Sequence, residues 1–409
     1  MLDRQRVKRL LFRLSVVIFF FLVGNGFGAP SWGRYQHDTA HTGRTHAPVD
    51  PSSLALAWTA QDFYVGPLIV GDTLYATRLD GLSTVVTAFS LNDGQVKWSY
   101  FGEDIYFGYM QVAGDVVVLD GFDYGGIFFD TLSVLNRKTG QFLYKVVLPL
   151  EFALTDFTLD RDPQNGGFTA YCKSFETIVA VHLGKAGGQY LWTEVGDLGD
   201  RSIPTVIENS VVMFGGGSGT ALDRATGAQN IFFIDSAGNS NDGAPAVYNS
   251  RRKDFYVKLD YQVQGETRVW AFHYNSQNSI EPLWTRITPF SQFGGAVAIG
   301  PEGNLYAVGS NELAIIDPND GSTIRSVPFL FVNGCTPALT RGVVWLHSDT
   351  QTYAYDSRTL ELLRVFDGSP GFDLGYDPVG AFVPDTAALN TRRTGGVSVY
   401  RSQSLLEVR

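Results

Sequence analysis

Residues 88 to 98 read AFSLNDGQVKW, and the same arrangement returns along the chain at intervals of roughly forty to fifty residues. Each copy alternates apolar and polar residues, passes through a turn that usually contains glycine, and ends on a bulky residue. The clearest further copies are VLNRKTGQFLY (134–144), ALDRATGAQNI (221–231), IIDPNDGSTIR (315–325) and AYDSRTLELLR (354–364). The repeated unit is therefore predicted to be a β-hairpin that ends in an anchoring side chain.

Each position of this unit has a physical reason. An Asp or Asn side chain accepts backbone N–H groups in the turn, and glycine supplies the positive φ that lets two antiparallel strands meet. A Trp or Tyr four residues after the glycine is placed to cover the adjoining sheet. The residues predicted to form this docking motif are Trp58, Asn92, Gly94, Trp98, Gly140, Tyr144, Trp192, Asp223, Gly227, Trp284, Asp317, Gly321 and Asp356.

Weaker copies end at Trp192, at Trp284 and at the C-terminus, which predicts eight repeats. Between successive turns there is room for two more short strands, and four strands per repeat describe the blades of an all-β, eight-bladed β-propeller. A β-sandwich is the alternative, but it needs no fixed period. The strand LALAWTA (54–60) is expected to join the last blade and close the ring. Seven blades remain the alternative if PDTAALNTRR (384–393) is irregular.

The N-terminus carries export signals. Basic residues precede the apolar run LSVVIFFFLV (14–23), and a small-residue stretch follows it, which is typical of a secretory signal peptide cleaved before Ala29. A retained membrane anchor is the alternative, although the run is short for a membrane span. We expect a signal peptide over 1–28, a leader over 29–53 and one propeller domain over 54–409, in a secreted protein that is extracellular or periplasmic and has no stable membrane span.

Charge and cysteine content narrow the classes of partner. The chain has a net charge of −10, and loss of the basic N-terminus makes it more acidic, so a nucleic-acid partner is excluded by repulsion from phosphates. The two cysteines, Cys172 and Cys335, fall on blades three and seven of the predicted ring, too far apart for a disulfide. We expect a monomer held together by its hydrophobic core.

The motif A-x-D-x-x-T-G-x-x-x-W, matched by 221–231 and 88–98, resembles the tryptophan-docking repeat of the quinoprotein-like (PQQ-like repeat) β-propellers. The segment WGRYQHDTAHTGRT (32–45) is similar to the lead-in of exported members of this family, including relatives of the outer-membrane assembly factor BamB. The resemblance implies either a dehydrogenase that holds pyrroloquinoline quinone (PQQ) with calcium or a scaffold without a cofactor. The dehydrogenases carry adjacent cysteines, and this chain has none.

Aromatic residues are concentrated in segments predicted to emerge at one mouth of the central channel. Convergent aromatics there suit a peptide, a glycan or another flat, partly apolar ligand. The alternative is that the rings plug the funnel and pack the ends of the inner strands. The residues are Tyr106, Phe107, Phe122, Tyr124, Phe293, Phe331 and Phe372.

No catalytic constellation stands out. His37, His41 and His46 lie in the leader, where a metal site would lack a rigid frame, so we expect Trp32 and Tyr35 to pack this segment on the propeller's edge. Asp160, Asp162 and Asn165 supply oxygens at short spacing but are typical of a turn. We therefore expect a non-catalytic scaffold, with no cofactor or metal, that binds a protein, peptide or glycan. The alternatives are a PQQ- and calcium-dependent or other redox enzyme, and a hydrolase or lyase that uses the funnel.

Overall fold

The computed structural model confirms an eight-bladed β-propeller made of antiparallel four-stranded blades. The residues that the structure describes are 31–32, 37–38, 41–61, 65–80, 83–102, 105–106, 109–123, 129–151, 156–162, 166–174, 176–196, 203–215, 218–234, 245–261, 264–289, 295–309, 311–329, 335–348, 350–367, 380–391 and 396–403. The predicted signal peptide lies outside them.

The first half of the ring follows the N-terminal elements β1 (Ser31–Trp32), a 3₁₀ turn (Pro51–Ser53) and β2 (Leu54–Gln61). Blade one contains β3 (Val65–Val70), β4 (Thr73–Asp80), β5 (Ser83–Ser90) and β6 (Val96–Gly102). Blade two contains β7 (Ile105–Tyr106), β8 (Met110–Ala113), β9 (Val116–Asp123), β10 (Phe129–Asn136) and β11 (Phe142–Glu151). Blade three contains β12 (Asp156–Arg161), β13 (Phe168–Lys173), β14 (Thr177–Gly184) and β15 (Gly187–Val195). Blade four contains β16 (Thr205–Ile207), β17 (Ser210–Gly215), β18 (Ser218–Asp223) and β19 (Gln229–Ile234).

The second half repeats this order. Blade five contains β20 (Val247–Asn249), β21 (Asp254–Tyr261), β22 (Glu266–Ser276) and β23 (Ser279–Pro289). Blade six contains β24 (Ala298–Ile299), β25 (Leu305–Val308), β26 (Glu312–Ile316) and β27 (Thr323–Pro328). Blade seven contains β28 (Ala338–Thr340), β29 (Val343–His347), β30 (Gln351–Asp356) and β31 (Leu362–Asp367). Blade eight contains β32 (Gly380–Val383), β33 (Thr386–Thr391) and β34 (Gly396–Ser402), with β2 as its outer strand.

The N-terminal strand closes the ring, as predicted. Strand β2 pairs antiparallel with β34, from Leu54 opposite Ser402 to Gln61 opposite Gly396. The region considered irregular forms the regular strand β33, so the ring has eight blades and not seven. Because the two chain ends share one sheet, opening the ring would expose unpaired strand edges in blade eight.

The core lies between neighbouring blades, and the second strands contribute strongly to it. Strands β17, β21 and β29 are buried at every position. A strand covered by a blade on each face reads as a continuous apolar run, which explains the segments SVVMFG and VVWLH. Among the described residues no helix is sufficiently long and apolar for a membrane crossing.

Candidate functional site

Successive blades are joined by a docking contact, seen clearly between blades one and two. The indole Nε1 of Trp98 donates to the carbonyl oxygen of Arg137 at 3.0 Å. The indole ring lies over Gly140, whose φ is 69°, and a Cβ added at Gly140 would lie 2.5 Å from Trp98 Cε3. Glycine is therefore required here both for its backbone conformation and for the close approach of the ring.

The same contact recurs around the ring. Each Trp Nε1 donates to a carbonyl in the next blade's turn and its ring covers a glycine: Trp58 to Leu91 over Gly94 at 3.2 Å, Trp192 to Arg224 over Gly227 at 2.9 Å, and Trp284 to Pro318 over Gly321 at 3.0 Å. Tyr144 varies this contact, since its hydroxyl donates to the carbonyl of Gly184 at 2.7 Å. The first of these contacts joins blade eight to blade one across the closure.

Carboxylates order the same turns. Asp223 Oδ1 accepts from the backbone N–H groups of Ala225 and Thr226 at 3.0 and 2.9 Å. Equivalent bonds run from Asn319 to Asp317, and from Arg358 and Thr359 to Asp356. Asn92 lies in the turn of blade one, where its carbonyl accepts from Arg401 Nη1 at 3.4 Å. The Asp223 and Asp317 carboxylates hold the turns over which Trp192 and Trp284 dock.

We expected one mouth of the channel to be formed by the connections that follow the second and fourth strands of each blade, and most of these connections lie outside the described residues. Tyr106 and Phe122 are directly opposed in the antiparallel pair of β7 and β9. Strand β9 extends to Asp123 and β10 begins at Phe129, so strand structure covers five of the ten residues 121–130. Phe107, Tyr124, Phe293, Phe331 and Phe372 lie outside the described residues.

The buried ionisable groups of blades five to seven include Lys258 and Cys335. Lys258 is buried in β21, and its Nζ donates to the carbonyl of Val308 in blade six at 2.8 Å. Burial lowers the pKa of Lys258, while Asp260 and Cys335 act in the opposite direction. Burial also raises the pKa of Cys335 to about 12, against an opposing contribution from the backbone N–H of His347. Neutral forms of the amine and the thiol are thus favoured in this part of the wall.

We expect Lys258 to make stability depend on alkaline pH. The unfolded chain keeps the lysine proton up to a pKa of about 10.4, whereas folded Lys258 loses it at lower pH, so stability rises with pH over that interval. The test compares urea unfolding from pH 7 to 10 for two variants, Cys335→Ala and Cys335→Ala/Lys258→Met. Both lack the Cys335 thiol, whose raised pKa would make the free energy of unfolding fall as the pH rises. The free energy of unfolding should rise more with pH when Lys258 is present, and equal slopes would contradict the assignment.

The leader crosses the end of the channel at which the first and second strands of blades six to eight are joined. Backbone bonds join Thr45 N to Leu339 O at 2.8 Å and Leu339 N to Gly43 O at 2.7 Å. Further bonds run from Ile299 N to Thr42 O, from Arg341 N to Ala47 O and from Asp385 N to Pro48 O. Strand β1 pairs with the inner strand β3. The leader therefore bridges blade one and blades six to eight, because the inner edges of the blades present backbone groups that it satisfies.

His41 extends the contacts of the leader to blades three and four. It is buried, and its Nε2 lies 3.2 Å from Pro204 O and 3.3 Å from Thr158 Oγ1, on blades four and three. Asp38 accepts from the backbone and hydroxyl of Thr42, which fastens the preceding turn as expected. We expected Trp32 and Tyr35 to pack the leader on the propeller's edge; Trp32 lies in β1, which pairs with the inner strand β3, and Tyr35 lies outside the described residues.

The other candidate ligands have structural partners. Asp160 forms an ion pair with Arg224 of blade four, and Asp162 Oδ2 lies 3.4 Å from His182 Nδ1. Asn165 lies outside the described residues. His37 lies 3.6 Å from Asp38, whereas His46 is exposed. In the described part of the chain no three His, Cys, Asp or Glu side chains group to hold a metal ion.

Comparisons with known proteins bear on the fold. No protein-family model matches the sequence, and no curated protein matches it. BamB from Moraxella catarrhalis is 14% identical with a TM-score of 0.60, covering 86% of this chain and 98% of that chain. The computationally designed Ika8 protein is 16% identical with a TM-score of 0.62, covering 85% and 98%.

A europium-containing methanol dehydrogenase is 14% identical and covers 91% of this chain and 98% of that chain, but its TM-score of 0.48 decides nothing between a scaffold and an enzyme. The similarity to BamB confirms the resemblance predicted from the docking motif at the level of the fold. The chain is an eight-bladed β-propeller that shares its fold with BamB.

Proposed function

We propose that the protein is an exported, non-catalytic scaffold that binds a protein or an extracellular polymer at the channel mouth opposite the leader. The observation that carries this proposal is the route of the leader. Residues 42–48 bond to the inner strands or adjoining turns of blades six to eight, and His41 reaches blades three and four. A ligand would therefore enter from the end that the leader leaves uncovered.

The aromatic residues predicted at that mouth would suit a flat, partly apolar ligand. Tyr106 and Phe122 oppose each other at the edge of blade two. Aromatic rings give large contact areas, and their edges and faces suit peptide groups and sugar rings. BamB from Moraxella catarrhalis, which shares the fold, supports a comparison with scaffolds but does not identify a partner.

The described residues do not fit a PQQ–calcium site of the kind that the resemblance implies. Cys172 and Cys335 are buried on blades three and seven, so they cannot form the adjacent cysteine pair of those enzymes. Asp160 is held by Arg224, and Asp260 accepts from the Thr267 hydroxyl at 2.5 Å. These carboxylates serve structural contacts, which supports binding rather than quinone chemistry as the function.

The rival function is tested by adding PQQ and calcium to the purified protein. We expect no thermal stabilisation and no dye-linked oxidation of alcohols or aldoses, because the donor set does not suit the cofactor. A rise of several degrees in the melting temperature together with turnover would replace the scaffold by an enzyme. Loss of both signals on adding a chelator would be the control for specific cofactor loading.

The binding role is tested by photo-crosslinking in the source cells. A benzoylphenylalanine at position 122 should give a discrete adduct with a partner, whereas the same group at Leu363, exposed on the outer strand of blade seven, should not. Equal adducts at both positions, or none at 122, would argue against the mouth as the binding face. Mass measurement of the mature protein checks export, with the N-terminus expected at Ala29.

A further inference from the structure

The outer strand of each blade has one sheet edge without a partner strand in the blade. Natural proteins protect such edges with charged residues or proline, because exposed N–H and C=O groups recruit other strands. Several outer strands here carry this protection. The protecting residues on β6, β11, β23, β27 and β31 are Lys97, Lys145, Pro149, Pro282, Arg325, Pro328 and Arg364.

Strand β19 of blade four has no such protection. Its sequence QNIFFI contains neither a charge nor a proline, and Ile231 and Ile234 are 51% and 78% exposed. Strand β2 is also uncharged. It exposes one large apolar side chain, Leu56, and the carbonyl of its first residue, Leu54, accepts a hydrogen bond from Arg364. Blade four therefore combines an unprotected edge with two exposed isoleucines.

The exposure of Ile231 follows from a different joint between blades four and five. Ile231 takes the position that holds the docking aromatic in other blades, and Gln277 occupies the facing turn. Gln277 Nε2 donates to the carbonyls of Ala221 and Ala228, and Asn230 Nδ2 donates to Gln277 O at 2.7 Å. The side chain of Ile231 is thus not used to hold the two blades together.

Phenylalanines stabilise this joint instead. Phe214 packs at 5.6 Å, between ring centroids, from both Phe232 and Phe272, and Phe255 lies at 6.2 Å from it. Phe232 and Phe233 pack against this cluster, while Ile231 and Ile234 on the same strand remain exposed. The isoleucines can be replaced without disturbing the core, and their exposure needs another explanation.

The apolar edge continues onto blade three. A Cβ added at Gly196, directly after β15, would lie 3.6 Å from Gln229 Oε1 at the start of β19. Val195 at this junction is 67% exposed. Glu194 is the charged residue within β15, and exposed Glu176 accepts from Gly196 N at 3.0 Å through its carbonyl. The edge therefore has an apolar centre and an acidic flank.

We propose that β19 docks an extended segment of a partner protein by strand addition, with alternating apolar residues over Ile231 and Ile234 and a basic residue near Glu194. Main-chain bonds would supply affinity and the apolar side chains specificity. A second copy of this chain is the weaker occupant, because each copy has a net charge of −10 and an edge of this length spans only about 20 Å. This rim site is separate from the channel mouth.

The test uses the full chain and a labelled synthetic peptide, Lys-Val-Thr-Val-Thr-Val-Thr-Val-Lys, with binding followed by fluorescence anisotropy. Ile231→Lys/Ile234→Lys should weaken binding at least about tenfold, because a charge opposes both the apolar contact and the basic peptide. Ile324→Lys on β27 is the matched control, since Ile324 is also 51% exposed but lies beside Arg325, and it should leave binding unchanged. Unfolding curves of the three proteins verify that the substitutions leave the fold intact.

A second peptide, N-methylated at alternate residues on its pairing edge, separates strand addition from simple hydrophobic contact. Its binding should be lost. The proposal is overturned if the first peptide does not bind, if both peptides bind equally, or if the control variant weakens binding as much as the double variant. It is also overturned if the wild type sediments as a dimer that Ile234→Lys dissociates, because the occupant is then a second copy. Crosslinking at position 122 tests the channel mouth, so each of the two proposals can fail without the other.

Discussion

Replacing Trp98 with alanine is expected to lower the free energy of unfolding by about 3–5 kcal/mol, the range for removal of a buried aromatic side chain. The indole is buried between blades one and two, lies tilted against Tyr75 with ring centroids 5.9 Å apart, and donates to the carbonyl of Arg137. The variant loses the apolar contact, leaves a cavity over Gly140 and removes that hydrogen bond. Urea denaturation followed by far-UV circular dichroism measures the effect.

Phe101→Ala is the matched control, since Phe101 lies on the same strand but is 52% exposed. It should change the free energy of unfolding by less than about 1 kcal/mol. Comparable losses in the two variants would show that Trp98 does not join the blades in the way described. A loss confined to Trp98→Ala supports the docking contact as the main connection between these blades.

A double-mutant cycle with Gly140→Ala sharpens the same prediction. The added Cβ meets the Trp98 ring and also forces alanine to a φ of 69°, so we expect a cost above the roughly 1–3 kcal/mol of the backbone conformation alone. In the Trp98→Ala background the steric part should disappear. Additive losses in the cycle would be inconsistent with direct contact between ring and glycine.

Replacing Phe214 with alanine should destabilise the ring by a similar amount, about 3–5 kcal/mol. Phe214 is fully buried, and it contacts aromatic rings from its own blade and from blade five. This joint has no docking tryptophan, so the phenylalanine cluster carries the apolar contact that an indole supplies elsewhere. Thermal and urea unfolding of the purified variant measure the loss.

Phe214→Leu provides the graded comparison, because leucine retains much of the buried apolar volume and should lose less than half as much stability. Ile231→Ala on the exposed edge should lose still less, since that residue lies outside the cluster. A variant Phe214→Ala that unfolds like the wild type would mean that the side-chain bonds of Gln277 hold blades four and five together without the aromatic rings. The two substitutions thus assign the joint to one set of contacts.

The blade repeat was predictable because its signals are local. A glycine in a tight turn, an Asp or Asn that accepts backbone N–H groups and an aromatic residue four positions after the glycine form one hairpin, as Asn136, Gly140 and Tyr144 illustrate. Their spacing gave the number of blades, and the surplus strand before Gln61 indicated the closure. Periodic local chemistry of this kind survives in the sequence without any information on long-range contacts.

The candidate sites were only partly predictable. Tyr106 and Phe122 were assigned to the channel mouth, but their pairing in β7 and β9 depends on how far the strands of blade two extend. The position of His41 carried no local signal, because its partners Thr158 and Pro204 are distant in sequence. A leader segment without apolar alternation gives no indication of the strand edges that it will satisfy.

By itself, the sequence determined an eight-bladed ring closed by its N-terminal strand, since turn residues and alternating strands dictate the unit that repeats. Only the tertiary structure decided the route of the leader across the channel, the phenylalanine joint at Phe214 and the exposed edge of β19. Each depends on which backbone edges and apolar surfaces remain uncovered after eight blades have closed into a ring. Which edges and surfaces stay uncovered is decided by the assembled ring and cannot be read from a single repeat.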